Sequence, residues 1–578
     1  MDNQRLFPWL ALAAMLFLNY EAWQHDYPPP SVAAAVAATT AGTSGTTAAT
    51  AAAGADDLPA LPTPAATPTP LPGAAATPAG TASTAASEAS STSGAAGSLV
   101  RVRTDVLDLE IATQGAEVRS AKLLAYTKQK DDPTDHVQMF NDGTTGDLSL
   151  FQWGLRTGGA EPEPNHKAIF TAAATDYSLK DGRDELSVPL TWTNGAGLTV
   201  TRTLTLKRGA YSIDLDQHIA NAGTTAWAAH DYARIVRHWQ HIETSFWNRD
   251  PELTAFRGPV FSDGTKIQKL NVEKADADRP PKTPIVGGWA AAMQHYFVVA
   301  VVPDPKVPHN YELGVEPTRF TFTTIGPETS VAPGAFADIH STLYMGPKIQ
   351  RTLEAIAPKL DRTTDFGALT IIAQPLFKVM AFVQSIVGNW GFTIIIVTFL
   401  IKLCFYPLAQ TSGRSMAKMR HLAPRMKTIQ ERYKDDREQL GKQMMELYKR
   451  EKVNPLAGCL PIVVQIPVFI AFYWVLLESV ELRQAPFIGW VHDLSTRDPI
   501  FVLPALMGIA MFGQFKLNPA PPDPMQAKIF AFMPLVMTVM MAFFPSGLVL
   551  YWITNTTLSI AQQWRINKLV EAGDKKRV

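Results

Sequence analysis

The sequence has few cysteines and no excess of charge. Cys404 and Cys459 are the only two among 578 residues, which excludes a disulfide framework and a cysteine-based zinc site. Lys plus Arg and Asp plus Glu each number 52, a balance that argues against a generally basic nucleic-acid binder, so we expect no DNA partner. Charged residues are only 18% of the chain, against about 25% in ordinary soluble domains.

Catalytic and nucleotide-binding motifs are also absent. There is no P-loop, no G-x-S-x-G and no H-E-x-x-H, so we expect neither an enzyme nor the use of ATP or another cofactor. His238 and His241 lie three residues apart in a region with a strand pattern. That spacing turns the rings to opposite faces, so we predict no metal site there.

The first hundred residues combine an apolar run with a biased segment. Arg5 precedes the charge-free run Leu6–Tyr20, and no small-x-small cleavage site follows it. We predict an uncleaved signal-anchor span at 1–24 with a cytoplasmic N-terminus; cleavage near Ser31–Ala38 is the alternative. From Pro28 to Ser98 the chain lacks Lys, Arg and aromatic residues, which predicts a disordered Ala/Thr/Pro/Gly tether at 25–98.

Residues 99–350 have the two-residue period of β-strands. One face of a predicted hairpin carries Leu198, Val200, Leu204 and Leu206, interrupted by Arg202, and the pattern resumes with Tyr211, Ile213, Leu215 and Ile219. About 250 residues of this kind predict a large antiparallel β-sandwich, exported because it follows a signal anchor.

The last third contains apolar runs long enough to cross a membrane. Val379–Ile401 has 23 uncharged residues and Val453–Leu477 has 25, against roughly 20 for one span. Ile529–Trp564 has 36, and the turn-forming sequence at 544–547 divides it into two short helices. The predicted divisions are a connector with an interfacial amphipathic helix at 351–385, a second span at 386–410, a cytoplasmic helical hairpin at 411–454, a third span at 455–478, a periplasmic loop at 479–498, a fourth span at 499–517, a cytoplasmic loop at 518–528, a fifth span at 529–544, a sixth span at 547–565 and a basic cytoplasmic tail at 566–578.

Loop charges predict the orientation of these spans. Twelve basic and six acidic residues lie between Gly413 and Val453, and five basic against two acidic residues follow Trp564. The loop 481–498 has two basic and three acidic residues. Basic loops stay in the cytoplasm, so both termini are predicted to be cytoplasmic and the β-domain periplasmic.

The predicted cytoplasmic hairpin has apolar residues at helical spacing, many of them methionine. Met-rich faces with basic flanks suit varied partners, which here would be nascent membrane segments or ribosomal RNA. A connector that packs only on itself is the alternative. The methionines in question are Met416, Met419, Met426 and Met444.

Lys402 is the only charged residue between Lys378 and Arg414. An ammonium in lipid costs several kcal/mol, so such a residue is either functional or extends its head group to the interface. The functional interpretation places Lys402 in a wet groove open to the cytoplasm, where it attracts acidic residues. Thr398, one turn away, would extend the polar lining.

The final span carries polar and amphipathic residues near helical spacing. They would either line the groove or hydrogen-bond between helices, and Gln465 and Gln514 in other spans have the same two interpretations. The residues of the final span are Tyr551, Trp552, Asn555, Ser559 and Gln562.

Ordered sequence blocks carry a resemblance to a known family. They are Met1-Asp-Asn-Gln-Arg, Gln374-Pro-Leu-Phe-Lys, Asn389-Trp-Gly-Phe-Thr-Ile-Ile-Ile, Ser415-Met-Ala-Lys-Met-Arg420, Glu451-Lys-Val-Asn-Pro-Leu456, Ser479-Val-Glu-Leu-Arg-Gln-Ala-Pro-Phe487, Asp523-Pro-Met525 and Phe544-Pro-Ser-Gly-Leu-Val-Leu-Tyr551. With these blocks the chain resembles the YidC membrane-protein insertase family in its long Gram-negative form.

The resemblance implies the architecture and the site. It implies six spans, five of which form a core around a hydrophilic groove, and a periplasmic β-supersandwich related to sugar-processing folds. The family's groove carries a single positive residue, usually Arg and here Lys402. Its substrate-contacting sides correspond to Thr398, Phe469, Tyr551 and Trp552, and Asn555 lies one turn beyond them.

The sequence therefore predicts an inner-membrane insertase and chaperone. Its partners would be newly made membrane proteins, membrane lipids, the Sec translocon and, through the basic hairpin and tail, the ribosome. A membrane-anchored periplasmic enzyme acting on sugars and a channel or transporter are the alternatives. A transporter is disfavoured because no inverted repeat or pair of half-helices is visible.

Overall fold

A computed structural model describes residues 58–59, 97–130, 132–143, 147–159, 162–240, 255–274, 279–433, 436–451, 460–517 and 524–575. The predicted signal-anchor span at 1–24 lies outside these ranges, as do nearly all of the predicted tether, His241 and Cys459.

Eighteen strands lie between residues 99 and 347 of the described chain. They are β1 Leu99–Arg103, β2 Leu107–Ala112, β3 Glu117–Thr127, β4 His136–Phe140, β5 Ser149–Arg156, β6 Thr171–Ala172, β7 Asp176–Ser178, β8 Glu185–Thr193, β9 Leu198–Lys207, β10 Ser212–Asn221, β11 Trp227–His238, β12 Gly258–Ser262, β13 Ile267–Lys269, β14 Trp289–Met293, β15 Phe297–Pro303, β16 Asn310–Glu316, β17 Arg319–Val331 and β18 Phe336–Pro347. One sheet has the order β16-β17-β11-β5-β3-β2-β1-β7 with β4 beside β3, and the other β13-β12-β14-β15-β18-β10-β9-β8-β6.

The two sheets share one apolar core. Phe151 and Ile235 of the first sheet belong to the same buried cluster as Leu215, Val299 and Leu343 of the second. Every pairing is antiparallel except that of β1 with β7. The predicted β-sandwich is thus confirmed.

Strands β9 and β10 form the predicted hairpin. Leu206 pairs with Ile213 and Leu204 with Leu215, so the two predicted apolar faces lie on the same side of the sheet. Along β9, buried and partly exposed residues alternate from Leu198 to Leu206. The two-residue period therefore identified both the strands and their buried face.

Arg202, which interrupts this apolar face, is fully buried between the sheets. Its guanidinium donates to the carbonyl oxygens of Gly115 and Pro164, and its Nε lies 3.2 Å from Oε1 of Gln217. It also lies over the Phe170 ring, 4.3 Å from the centroid. Burial lowers the pKa of Arg202 to about 9. Its charge therefore depends on these oxygen acceptors in place of water.

Nine α-helices follow the β-domain in the described chain. They are α1 Gln350–Ile356, α2 Thr370–Val387, α3 Trp390–Cys404, α4 Tyr406–Arg432, α5 Arg437–Arg450, α6 Leu460–Glu478, α7 Val502–Leu517, α8 Pro524–Met541 and α9 Ser546–Lys575. A second buried cluster joins α2, α3, α6, α7, α8 and α9. The turn predicted at 544–547 separates α8 from α9.

Within the described residues, only part of the helical region has helices of full membrane length. By length and composition, Thr370–Val387 could cross a membrane, and Trp390–Cys404 with Tyr406–Gly413 would make a second span bent by 63°. The shorter apolar helices are Val464–Glu478, Val502–Leu517 and Ala531–Met541.

Two helices depart from the predicted boundaries. The predicted second span ends at 410, but α3 ends at Cys404 and α4 begins at Tyr406, with Pro407 in its first turn where a missing N–H costs nothing. The helix predicted as interfacial and amphipathic is α2, which buries Leu376 and Met380 and also exposes Ile371 and Phe382. Its outer side is therefore apolar as well.

The sequence block that begins at Asn389 fixes the start of α3. Oδ1 of Asn389 accepts from the N–H of Phe392, a helix N-cap, while Nδ2 lies 3.1 Å from the carbonyl oxygen of Phe487. A Cβ on Gly391 would lie only 2.0 Å from the Phe487 ring. The asparagine and the glycine together seat the loop 479–498 against the beginning of α3.

The β-domain contacts the helical region at the end of α6. Nε2 of His295 lies 2.9 Å from the Leu477 carbonyl oxygen, which makes Nε2 the protonated nitrogen, and Nδ1 has no partner in the described chain. Nη2 of Arg483, in the loop after α6, donates to the carbonyl oxygens of Thr127 and Lys128. Burial, with a smaller contribution from Lys348, lowers the pKa of His295 to about 3.

We expect Arg202→Met to destabilise the β-domain by about 3–5 kcal/mol, because two buried carbonyl oxygens would lose their donor. The free energy of unfolding of Arg202→Lys should lie between those of Arg202→Met and the wild type, because one ammonium cannot replace all the donors of the guanidinium. Denaturant unfolding of the full-length protein in detergent measures the change. Arg101→Gln, which removes an exposed ion pair with Asp108, is the control and should cost less than about 1 kcal/mol. Equal losses in the Arg202 and Arg101 variants would contradict this account.

The protein should become less stable as the pH falls, because of His295. Between pH 6.5 and about 3 the unfolded chain binds a proton that the folded chain excludes, so acidification favours unfolding. His295→Gln keeps an N–H donor for Leu477 and does not titrate. Relative to this variant, the wild type should lose up to about 1.4 kcal/mol per pH unit in that window.

Urea unfolding of the full-length protein at pH 4, 5, 6 and 7.5 tests this difference. Lys348, Arg257 and Arg483 remain in both proteins, as does Glu478, whose carboxylate lies 3.9 Å from Nε2 of His295, so the difference between the two pH curves reports the histidine together with this contact. His218→Gln, at an exposed position, controls for the loss of any histidine. Parallel pH curves for the wild type and His295→Gln would show that the buried ring does not control acid stability.

Candidate functional site

Lys402 lies in the last turn of α3 and its head group points towards two other helices. Nζ is 2.8 Å from Oγ of Ser559 on α9 and 3.5 Å from Oε1 of Gln465 on α6. No carboxylate of the described chain lies within 4 Å of it. The ammonium has three donors and two neutral acceptors, so at least one donor is left for another ligand.

A chain of neutral polar groups surrounds this ammonium. Nε2 of Gln465 donates to Oδ1 of Asn555, and Oγ of Ser559 donates to the Asn555 carbonyl oxygen at 2.7 Å. Gln465 and Ser559 thus each form hydrogen bonds with both Lys402 and Asn555. This links α3, α6 and α9 through side chains that all remain able to exchange hydrogen bonds with water.

Aromatic side chains form the wall next to this polar cluster. The Phe469 ring lies 4.9 Å from the Trp552 ring, edge to face, and 5.9 Å from the Tyr551 ring. Phe472 stacks on Tyr551 at 4.4 Å. Tyr551 is buried, whereas Trp552 and Phe469 are only half-buried. The predicted groove residues on α6 and α9 therefore do lie together.

Thr398 does not extend the polar lining as expected. It is buried, and its hydroxyl donates to the carbonyl oxygen of Ile394 one turn earlier, at 2.6 Å. In an apolar environment a threonine satisfies its hydroxyl within its own helix, so sequence spacing alone misassigned its role.

The outer face of α3 near Lys402 is apolar. Phe399, Leu400 and Leu403 are each about half exposed, as are Ile466 and Ile470 on α6. A large exposed apolar surface of this kind is typical of contact with lipid or with another chain. The charged and polar cluster thus lies directly beside apolar surface.

The methionines of the hairpin lie in its own seam. Leu422 and Met426 of α4 are buried against a set that includes Met419, Met444 and Leu447. The side chain of Met416 lies outside the described residues. This arrangement agrees with a connector that packs on itself, and it leaves Met419, Met426 and Met444 facing each other.

The sequence left the role of two members of the polar cluster undecided. Gln465 and Ser559 each fit either a groove or an interhelical bond, and only their shared contact with Lys402 places them in the site. Gln465 is 63 positions from Lys402 and Ser559 is 157 positions away. The available signal was the four-residue step from Asn555 to Ser559.

Comparisons with known proteins agree along the whole chain. Residues 99–379 match the family described as YidC periplasmic domain, and residues 382–574 match the family described as 60Kd inner membrane protein. The membrane protein insertase YidC of Thioalkalivibrio sulfidiphilus is 42% identical over 591 residues, with 100% of both chains covered. The protein of the same name from Nitrosococcus oceani is 41% identical over 586 residues, with 99% of each covered.

The chain belongs to the YidC family of membrane protein insertases. YidC proteins are insertases and not enzymes, which removes the sugar-acting enzyme from the alternatives. The family descriptions also make the chain an inner membrane protein with a periplasmic domain. A solved structure of an active YidC insertase covers 81% of this chain and 94% of its own, at 16% identity and a TM-score of 0.37.

Proposed function

We propose that this protein inserts and folds integral membrane proteins in the inner membrane through a positively charged polar groove, without nucleotide. The observation that carries the proposal is the Lys402 ammonium on α3, whose partners within the described chain are neutral oxygen atoms of α6 and α9. A buried cation that lacks an acidic partner attracts a negative group from outside the protein.

The first step is capture of a short acidic tail of the substrate. A carboxylate approaching Lys402 gains a charge-assisted hydrogen bond from the unused donor of the ammonium. Gln465, Asn555 and Ser559 supply donors and acceptors that replace part of the hydration the tail loses. The tail can therefore pass below the lipid surface without losing all of its polar contacts.

The second step is transfer of the apolar segment into lipid. Phe399 and Leu403 of α3 and Ile466 and Ile470 of α6 present an apolar path beside the polar cluster. The substrate leaves water along this path, and burial of its apolar surface drives the reaction. Phe469 and Trp552 separate the polar and apolar halves of the path.

Short helices lower the barrier to this transfer. α3 has 15 residues and α7 has 16, so each is about 23 Å long against about 30 Å of hydrocarbon. A bilayer that thins to match them brings the groove closer to both surfaces. The six-span arrangement, with both termini, the hairpin and the tail in the cytoplasm, places Lys402 near the cytoplasmic side.

The exposed basic surface of the hairpin and the family resemblance support the proposed partners, the ribosome and the Sec translocon. Lys427, Arg432, Lys449 and Arg450 are exposed on α4 and α5 and would attract ribosomal RNA. Work with the Sec translocon, as well as alone, rests on the family resemblance.

Insertion into liposomes that contain only the purified protein tests this function. The substrate is a small single-span protein with an acidic tail, and protease protection of that tail is the measurement. Protection above that in empty liposomes is the expected result. A folded sample that gives no protection, with or without added Sec components, would remove the proposed function.

Substitutions at Lys402 should separate charge from structure. We expect Lys402→Gln to lower insertion of acidic-tailed substrates by about tenfold, equivalent to about 1.4 kcal/mol, and to leave neutral-tailed substrates within about twofold. Lys402→Glu should be worse because it repels the tail. Lys402→Arg keeps the charge and should stay close to the wild type.

Lys516→Glu is the matched control, since Lys516 is an exposed basic residue at the end of α7, outside the cluster. It should leave the rates for both substrates unchanged. If Lys402→Glu inserted acidic and neutral tails equally well, attraction of the tail by this charge would be refuted, although insertion itself could still proceed.

A further inference from the structure

The β-domain contains a cavity of about 600 Å³ that the insertion mechanism does not use. Its wall combines the end of β11, the start of β12, the turn between β14 and β15, and Arg483 of the loop after α6. A volume of this size accommodates a small organic ligand. The cavity is thus shared between the β-domain and the loop that leaves the helical region.

The lining of the cavity is predominantly positive. Arg237, Arg257 and Arg483 face it, and Asp147 is the one acidic residue among the described lining residues. Lys128 also lies at the rim, but its ammonium pairs with Asp135 at 2.9 Å. The described lining residues therefore carry more positive than negative charge, which suits an anionic ligand such as a phosphate monoester.

Of these arginines, Arg237 has the greatest need for an acceptor from a ligand. Its Nη1 is buried and has no hydrogen-bond partner in the described part of the chain. Burial, with a smaller contribution from the positive charge of Arg257, lowers the pKa of Arg237 to about 10. An unpaired guanidinium nitrogen in such a place costs free energy unless an acceptor occupies the cavity.

Arg483 is held in position by the protein itself. Its Nη2 donates to the carbonyl oxygens of Thr127 at 2.8 Å and Lys128 at 3.1 Å, and the guanidinium lies over the Phe297 ring. The remaining lining includes the aromatic rings of Trp239, Tyr296 and Phe320, together with three glutamine side chains. Aromatic walls beside arginine forks suit a ligand with a carbon body and an anionic end.

We propose that this cavity binds an organic phosphate, with the phosphate group at Arg237 and Arg257 and the carbon body against the aromatic wall. Guanidinium forks bind phosphate oxygens in pairs, which fixes the orientation of the ligand. The phosphate has two possible sources, a soluble phosphorylated compound or the head group of a lipid such as phosphatidic acid. Arg483 lies five residues after the end of α6, so lipid head groups at the periplasmic surface of the inner membrane would be close to the cavity.

Titration calorimetry on the full-length protein in phosphatidylcholine nanodiscs, at constant ionic strength, is the test. The probes are glucose 6-phosphate and uncharged glucose. We expect glucose 6-phosphate to bind at least tenfold more tightly than glucose. Arg237→Gln and Arg257→Gln should each weaken its binding about tenfold or more, and Arg101→Gln on an exposed strand should not change it.

Asp147→Asn keeps the test valid if an arginine variant fails to fold. The Asp147 carboxylate is 84% exposed and lies 3.7 Å from Nε2 of His238, so its removal spares the core. It should tighten binding of glucose 6-phosphate about two- to threefold because it removes the opposing charge.

Nanodiscs that contain phosphatidic acid separate the two sources. If they lower the apparent affinity for glucose 6-phosphate, the head group is the source; if they do not, a soluble phosphate is. Absence of binding by the wild type to both probes would overturn the proposal. So would binding that Arg237→Gln and Arg101→Gln weaken equally, because it would be non-specific attraction.

Discussion

A single ammonium held away from bulk water links three helices in the helical half of this protein. Lys402 has no carboxylate within 4 Å among the described residues, so its solvation depends on oxygen atoms that neighbouring helices bring to it. Ser559 and Gln465 come from α9 and α6, and both are tied to Asn555. Neutral groups solvate a charge and leave it available to a ligand, whereas an acidic partner would neutralise it.

The same principle explains the core of the β-domain, with the opposite result. Within the described chain Arg202 is also a buried cation without an acidic partner, but each of its three guanidinium nitrogens has an acceptor, on Gly115, Pro164 or Gln217, and an aromatic ring lies against it. The Arg202 side chain is fully buried, whereas that of Lys402 is partly exposed, so a ligand has no access to this arginine and its role is structural. Access from outside, and not burial of the charge alone, distinguishes a binding cation from a structural one.

The sequence predicted those features that depend on local patterns. The alternation in β9 and β10 identified their buried faces, and the turn at 544–547 divided the long apolar run. The end of α3 at Cys404 was missed because the residues on either side of this 63° bend, from Leu403 to Ala409, are all uncharged. Thr398 was misassigned because spacing shows which residues share a face, but it does not show which hydroxyl is already satisfied. The contacts of Arg483 with Thr127 join positions about 356 residues apart, which no local pattern can reveal.

The choice of lysine at position 402 follows from the acceptors that surround it. Ser559 and Gln465 belong to different helices and lie at 2.8 and 3.5 Å from one point, Nζ. A guanidinium would spread its donors over a planar fork, so it would keep the charge but contact the surrounding acceptors in a fixed plane. An ammonium can instead rotate its three donors, so it can turn its unused donor towards an incoming carboxylate while Ser559 still holds it. Lysine thus keeps a positive charge at this position and retains its shortest hydrogen bond, to Ser559, when a substrate binds.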